Sequence, residues 1–309
     1  CWSKELFDAI RVPPEKLPNI GNPWDLAGHI KKDAAEKIGL KEGTPVIIGG
    51  GDWATNFYGA GGVEPNIAIN TSGTSGNLVV TTKQETWGAS YTSIVPELYN
   101  TYIAAMDTES SLYRWARDEF CILEQYVSES TKISVYNLMD KEVRAVPPGA
   151  GGTMVFPYFQ EGSDSFGGII FGLNTNTKRE GILRAILEGI AFEYRRSIEK
   201  NKSRINFNIP QIITIGGGAK SSIWNQIKAD ILQIPIVELN VREVGTFGIA
   251  MLAGVSTGVF KDIIDPIKTA IKPKRVFEPD PKITAYYTEC YSKYKQFADY
   301  ISAPCTYNN

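Results

Sequence analysis

Histidine is nearly absent from this chain: 309 residues contain one, His29. A single histidine cannot build a zinc site without cysteine help, and a Ser-His-Asp hydrolase would have to rest on it alone. Nothing around His29 resembles a nucleophile elbow, and the residue falls in a stretch that reads as amphipathic helix. Cysteine is sparse too. Cys1, Cys121, Cys290 and Cys305 show no CxxC or metal-ligand spacing, so they read as reduced thiols and not as a disulfide framework. There is no excess of positive charge, with 32 Lys plus Arg against 34 Asp plus Glu, which argues against nucleic acid and anionic membrane as partners. No apolar run approaches the roughly 20 residues that span a bilayer. The opening Cys1-Trp2-Ser3-Lys4-Glu5 is not a signal peptide. A cytoplasmic protein is therefore expected.

What is present is ordinary in bulk: 43% hydrophobic and 21% charged residues, the balance of a globular protein. The length predicts one large or two modest domains. Leu6, Phe7 and Ile10 look like the tail of a packed helix, and Pro13-Pro14, Pro18 and Pro23 punctuate a loop. Trp24–Ile38 reads as a helix with Gly39 as its C-cap. Short β segments are predicted at 66–71, 77–82, 91–94 and 101–106, and helices at 109–122 and 130–143. Arg179–Lys200 carries Leu183, Ile186, Leu187, Ile190 and Tyr194 at three- and four-residue steps on one face. A strand at 212–215, a helix at 222–233, a strand at 236–239 and helices at 245–257 and 281–301 then argue for an α/β layer.

Three glycine-rich stretches could carry chemistry. Val46-Ile47-Ile48 is stopped by Gly49-Gly50-Gly51, and Asp52 opens the next helix. An aspartate there caps the helix. Capping is compatible with catalysis, because the helix N-terminus favours the ionised carboxylate and the glycines let a ligand approach. Gly73-Thr74-Ser75-Gly76 joins two short strands; it could be a plain hairpin turn, or it could aim several N–H groups at one anion. Gly216-Gly217-Gly218-Ala219-Lys220-Ser221-Ser222 sits between a strand and a helix. It fits neither the P-loop nor GxGxxG, which leaves a turn flat enough for a planar base, with Trp224 as ready to be core as ligand contact. A carboxylate that can take a proton and a loop that can hold phosphates point to phosphoryl transfer.

Gly49–Asp52, Asn70–Gly76, Gly172-Leu173 followed by Leu183–Gly189, Gly216–Ser222 with Trp224, and Glu243–Gly254 together resemble the FGGY carbohydrate kinases, most of all the xylulokinase branch. The resemblance runs over essentially the whole chain. It implies an α/β, actin-like (ribonuclease H-like) ATPase fold, with residues 1–62 as the end of a sugar-binding domain and 63–309 as the nucleotide-binding domain of the same fold. It implies ATP and Mg²⁺ as cofactors, a small-molecule sugar as substrate, and a homodimer as the common oligomer. Asp52 matches the general base that accepts the proton of the attacking sugar hydroxyl. Gly73 and Thr74 match a phosphate loop, and Gly217, Gly218 and Ser222 match the adenosine-contacting turn and helix start. No protein metal ligand is implied.

This sequence departs from the family pattern at several points. The Asp-x-Gly-Thr hairpin of the family is missing, and Glu243-Val244-Gly245-Thr246 echoes it only at a helix start. The expectation is thus a piece of a longer kinase that binds nucleotide weakly and turns over little by itself. Trp53 stands in place of a small polar residue and Gly181 in place of a polar one, which leaves the sugar open. Xylulose or a related ketose or polyol is the leading acceptor. The rivals are a non-catalytic sugar- or nucleotide-responsive protein on the same fold and, further off, an actin-like ATPase.

Overall fold

The computed structural model describes residues 2–159 and 167–301. Cys1 and Cys305 lie outside the described residues, and Cys121 and Cys290 are free thiols. The chain divides into two units, Cys1–Gly59 with Glu243–Ala270, and Ala60–Arg242 with Ile271–Asn309. The sequence suggests a single crossing near residue 62; packing adds Glu243–Ala270 to the first unit.

The first unit begins with α1 (Lys4–Ile10), capped by the Ser3 hydroxyl, which accepts from the Leu6 N–H. None of its residues is buried, so the packing expected of Leu6 and Ile10 is not made within the unit. The predicted helix over Trp24–Ile38 is replaced by strand β1 (Leu26–His29) and a shorter helix α2 (Lys32–Ile38). Local preference yields here to pairing: β1 lies antiparallel to β2 (Pro45–Ile47), and the Ile48 N–H donates to the Asp25 carbonyl. His29 is therefore an exposed strand residue. Gly39 does cap α2, at φ 71° with its N–H on the Ala35 carbonyl.

Helix α3 (Asp52–Gly59) follows the glycine stop and ends before Ala60. Its partner is α9 (Val244–Ser256), which precedes α10 (Ile264–Ala270). The two backbones approach closely because Gly59 and Gly248 face each other's helix: a Cβ on Gly59 would meet the Val244 carbonyl, and one on Gly248 the Thr55 carbonyl. This crossing is what brings 243–270 into the first unit.

The second unit is built on a mixed sheet. Its strands are β3 (Ala68–Ser72), β4 (Gly76–Thr82), β5 (Ser90–Thr92), β6 (Tyr99–Met106), β9 (Ile212–Gly216), β10 (Ile236–Leu239) and β11 (Pro273–Phe277), in the order β11-β10-β9-β3-β4-β6-β5. β3, β4, β6 and β5 pair antiparallel, whereas β9 joins β3 and β10 joins β9 in parallel. The hairpin β7 (Met154–Phe156) and β8 (Ile169–Phe171) stands apart from that sheet. β8, β11 and α10 carry too short a pattern to have been predicted.

Helix α7 (Arg179–Lys202) supplies the centre of the core, with Leu183, Ile186, Leu187, Ile190 and Tyr194 all buried as its periodicity predicts. Around it lie α8 (Ser222–Leu232) and α11 (Pro281–Ile301). The two helices expected over 109–143 are three: α4 (Ser110–Phe120), α5 (Ile122–Thr131) and α6 (Val135–Ala145). The break at Cys121 is held open by Arg179. Its guanidinium donates to the Phe120 carbonyl at 3.0 Å, to both oxygens of Glu124 at 2.8 Å, and to Glu142 at 2.6 Å. A fixed fork of donors can satisfy a freed carbonyl and two carboxylates at once.

Candidate functional site

In the first unit the glycine stop does what its composition suggests. Gly49 adopts φ 75°, its N–H bonding the Pro23 carbonyl, and the chain turns into α3. Asp52 is the first residue of that helix and is exposed. Its Oδ1 accepts from the Trp53 N–H at 2.8 Å, and its carbonyl accepts from the Thr55 hydroxyl at 3.0 Å. The second carboxylate oxygen lies at a positive helix end, where an anion is favoured. A Cβ at Gly50 would touch only a Thr55 methyl at 3.5 Å, and one at Gly51 only the Trp53 ring at 3.5 Å. A ligand can therefore come close to the backbone before Asp52.

In the second unit the other predicted residues converge on one end of the sheet. The core-facing side chains of β3 run Ala68, Asn70, Ser72, and those of β9 run Ile212, Thr214, Gly216, since alternate residues share a face. Both strands thus become polar toward their carboxyl ends. They lie in register there, with Ser72 opposite Gly216 and Asn70 opposite Thr214. Gly73-Thr74-Ser75 turns β3 into β4, and Gly216-Gly217-Gly218 turns β9 toward α8. The two turns touch through Ser72: a Cβ on Gly218 would run into the Ser72 hydroxyl, and one on Gly216 into the Ser72 carbonyl at 2.6 Å.

The start of α4 closes the third side. The N–H groups of Glu109 and Ser111 donate to the Thr74 carbonyl at 3.2 Å, the Ser110 N–H donates to Gly73 at 3.0 Å, and the Ser111 hydroxyl donates to Thr74 at 2.8 Å. Ser222 opens α8, and its hydroxyl accepts from Arg144 at 2.9 Å. The cap itself is Ser221, which accepts from the Trp224 N–H at 3.2 Å. Trp224 is core, 2% exposed. The glycine turn is anchored below by Asn225, whose Nδ2 donates to the Ala219 carbonyl at 2.8 Å.

A group carrying phosphates fits this end of the sheet. Gly217 has an ordinary φ of −63° and open space where a Cβ would stand. The Ser110 hydroxyl, which can donate, is buried with no hydrogen-bond partner in the protein. A cavity of ≈ 520 Å³ lies at the carboxyl ends of β9 and β10, with Gly216, Ala219, Lys220, Asn240 and Arg242 in its wall. Carboxyl ends of parallel strands are where open α/β sheets bind ligands. Among the described residues no group of three or more His, Cys, Asp or Glu could hold a metal ion.

Sequence reading missed what lies under the turns. Glu109 is fully buried, accepting from the Ser72 hydroxyl at 2.8 Å and the Tyr194 hydroxyl at 3.0 Å. Lys228, 1% exposed, donates to Asn70 Oδ1 at 2.9 Å and to the Thr214 hydroxyl at 3.2 Å, with its ammonium 4.9 Å from the Trp224 ring. Burial pushes the Glu109 carboxyl up to about 7 against the pull of Lys228, and pushes the Lys228 ammonium down to about 8 against the pull of Glu109. One signal was available: Lys228 follows Trp224 by four residues, on the apolar side of α8 beside Ile227.

Comparison with known proteins gives the family and the fold. The descriptions that fit are "FGGY family of carbohydrate kinases, N-terminal domain" over residues 1–59 and the same family's C-terminal domain over residues 68–257. The autoinducer-2 kinase of Escherichia coli strain K12 is 27% identical over 306 residues, covering 95% of this chain and 57% of that protein. Among solved structures, ligand-bound xylulose kinase from Lactobacillus acidophilus aligns with TM-score 0.80 at 21% identity, over 98% of this chain and 61% of its own. Glycerol kinase from Plasmodium falciparum with ADP aligns with TM-score 0.76 at 18% identity, over 98% of this chain and 60% of its own. These likenesses bear out the expected actin-like, ribonuclease H-like fold. The chain spans about three fifths of the length of the relatives it matches. With its C-terminal family domain matched across most of the sequence, the chain belongs to the FGGY family of carbohydrate kinases.

Proposed function

We propose that this chain serves an ATP-dependent carbohydrate kinase, which transfers the γ-phosphoryl group to a hydroxyl of xylulose or a related ketose or polyol. The observation that carries this reading is the joining of two glycine turns, Gly73–Gly76 and Gly216–Gly218, at Ser72 on one sheet end. Backbone turns packed this closely can present N–H groups to an anion, with Lys220 and Arg242 adding positive charge in the adjacent cavity wall.

In this reading Gly73 and Thr74 hold nucleotide phosphate. Gly217 and Gly218 lie against the adenosine, and Ser222 with Arg144 borders it. Asp52 takes the proton of the attacking hydroxyl. A carboxylate is a weak base, but it is adequate where positioning and charge stabilisation dominate and the proton moves late. ATP supplies the phosphoryl group, and Mg²⁺ bound to it offsets phosphate charge. Such an ion is held through phosphates and one or two carboxylates, so no dedicated protein cage is required.

The acceptor class rests on the relatives. Those compared act, by name, on autoinducer-2, xylulose and glycerol, all small hydroxyl-bearing molecules. The autoinducer-2 kinases, at 27% identity over 306 residues, favour an acceptor of that kind as a second reading. A cytoplasmic location and a homodimer complete the proposal. It is tested by coupled ADP release from the full-length protein with a panel of ketoses, polyols and autoinducer-2. Release that depends on one acceptor supports it; acceptor-independent hydrolysis points to an actin-like ATPase, and failure to bind nucleotide overturns it.

A further inference from the structure

A buried lysine and a buried glutamate are costly, and well-packed apolar residues of similar volume are often as stable or more so. Their presence under the two turns calls for another explanation, and the connections supply one. From α8, Lys228 reaches Asn70 on β3 and Thr214 on β9, which are register partners two residues before Ser72 and Gly216. From the start of α4, the Glu109 side chain holds the Ser72 hydroxyl while its own N–H holds the Thr74 carbonyl. Tyr194 on α7 joins the halves, donating to Glu109 and accepting from Asn70 Nδ2 at 3.0 Å. Gly76 belongs to the same device, because a Cβ there would strike the Glu109 carboxylate and the Tyr194 hydroxyl.

We propose that Lys228, Asn70, Ser72, Glu109 and Tyr194 form a positioning network that locks the Gly73–Gly76 and Gly216–Gly218 turns into one nucleotide cradle, the first turn facing phosphate and the second the adenosine. Resting on the nucleotide-site reading above, the network touches no substrate. It sets the spacing of two loops that otherwise belong to different strands, and it ties both to the helices α4 and α8 beside them. Directional hydrogen bonds to a charged group fix geometry more tightly than apolar contact does. Tyr194 and Lys228 are the titratable groups that act on Glu109, and Glu109 is the one that acts on Lys228.

The test uses Lys228→Met, Glu109→Gln, the double variant and the milder Ser72→Ala, each checked for folding by circular dichroism. Mg·ADP affinity is measured by calorimetry, and KM for ATP and for the sugar by turnover of the full-length protein. The network predicts at least a tenfold loss of ADP affinity in Lys228→Met and a smaller loss in Ser72→Ala. It predicts a raised KM for ATP with KM for the sugar unchanged, and a double variant no worse than the poorer single one. A purely structural role would lower the melting temperature and leave ADP affinity of the folded variants within twofold of wild type; that result overturns the inference while leaving the kinase reading intact. Should Lys228→Met not fold, Ser72→Ala and the double variant, which removes both charges, decide the matter by the same criterion. Absence of ADP binding by the wild type would overturn the kinase reading and this inference with it.

Discussion

Ser72 lies directly opposite Gly216 in the parallel pairing of β3 and β9, and its hydroxyl is the surface on which Gly218 packs. A side chain at 218 has nowhere to go: beyond Ser72, its Cβ would stand 2.6 Å from the Trp224 ring, itself core. Gly218→Ala should therefore cost about 1–3 kcal/mol, the usual penalty of overpacking. Urea denaturation of the variant beside wild type measures it, and an unchanged midpoint would show that the turn is free to move.

Asp52→Asn keeps the shape and the bond from the Trp53 N–H while removing the proposed base. In the full-length protein kcat should fall by about 10²–10⁴, the usual weight of general base catalysis, with ATP affinity near wild type. Wild-type turnover in this variant would remove Asp52 from the chemistry.

The buried Glu109 makes stability depend on pH with a definite sign. Its folded-state pKa, about 7, lies above its ordinary 4.5, so the folded chain binds the proton more tightly. The associated stability is complete below about 4.5 and is lost as pH rises through about 7. Lys228 runs the other way, complete above 10.5 and lost as pH falls through about 8. Denaturation midpoints followed between pH 5 and 7 should show a downward contribution in wild type that Glu109→Gln abolishes.

A second buried pair gives a prediction about folding alone. Glu188 Oε1 accepts from Arg184 at 2.6 Å, from the Tyr287 hydroxyl at 2.6 Å and from the Gly149 N–H at 3.0 Å. Arg184→Met strands that carboxylate and should cost about 3–5 kcal/mol, with Arg184→Met/Glu188→Leu recovering much of it. Chemical denaturation of the three variants checks this.

How much of this could be read from the sequence depended on whether local pattern or distant pairing decided the element. α7 was legible because its apolar face repeats over many turns, Gly39 because cap chemistry is local, and Asp52 as a helix start after the glycine stop, although it is the first helical residue and not the cap. Leu26–His29 misled, since only its partner Pro45–Ile47 makes it a strand. The place of Glu243–Ala270 depends on a helix crossing between Gly59 and Gly248, residues far apart in the chain. Asp52, Thr74 and Gly217 stood out as glycine-flanked residues. Glu109 and Lys228 did not, because a charge inside an amphipathic segment looks like surface until its partners on β3 and β9 are known.

Gly217 offers the most direct measurement. With an ordinary φ and open space at its Cβ, Gly217→Ala should fold as well as wild type or slightly better, by about 0.4–1 kcal/mol. If the space beside it belongs to a nucleotide, Mg·ADP titrated calorimetrically into this variant should bind at least tenfold more weakly than to wild type, with an equal or higher Tm. Equal ADP affinity in the two proteins, or no ADP binding by the wild type, would contradict the account.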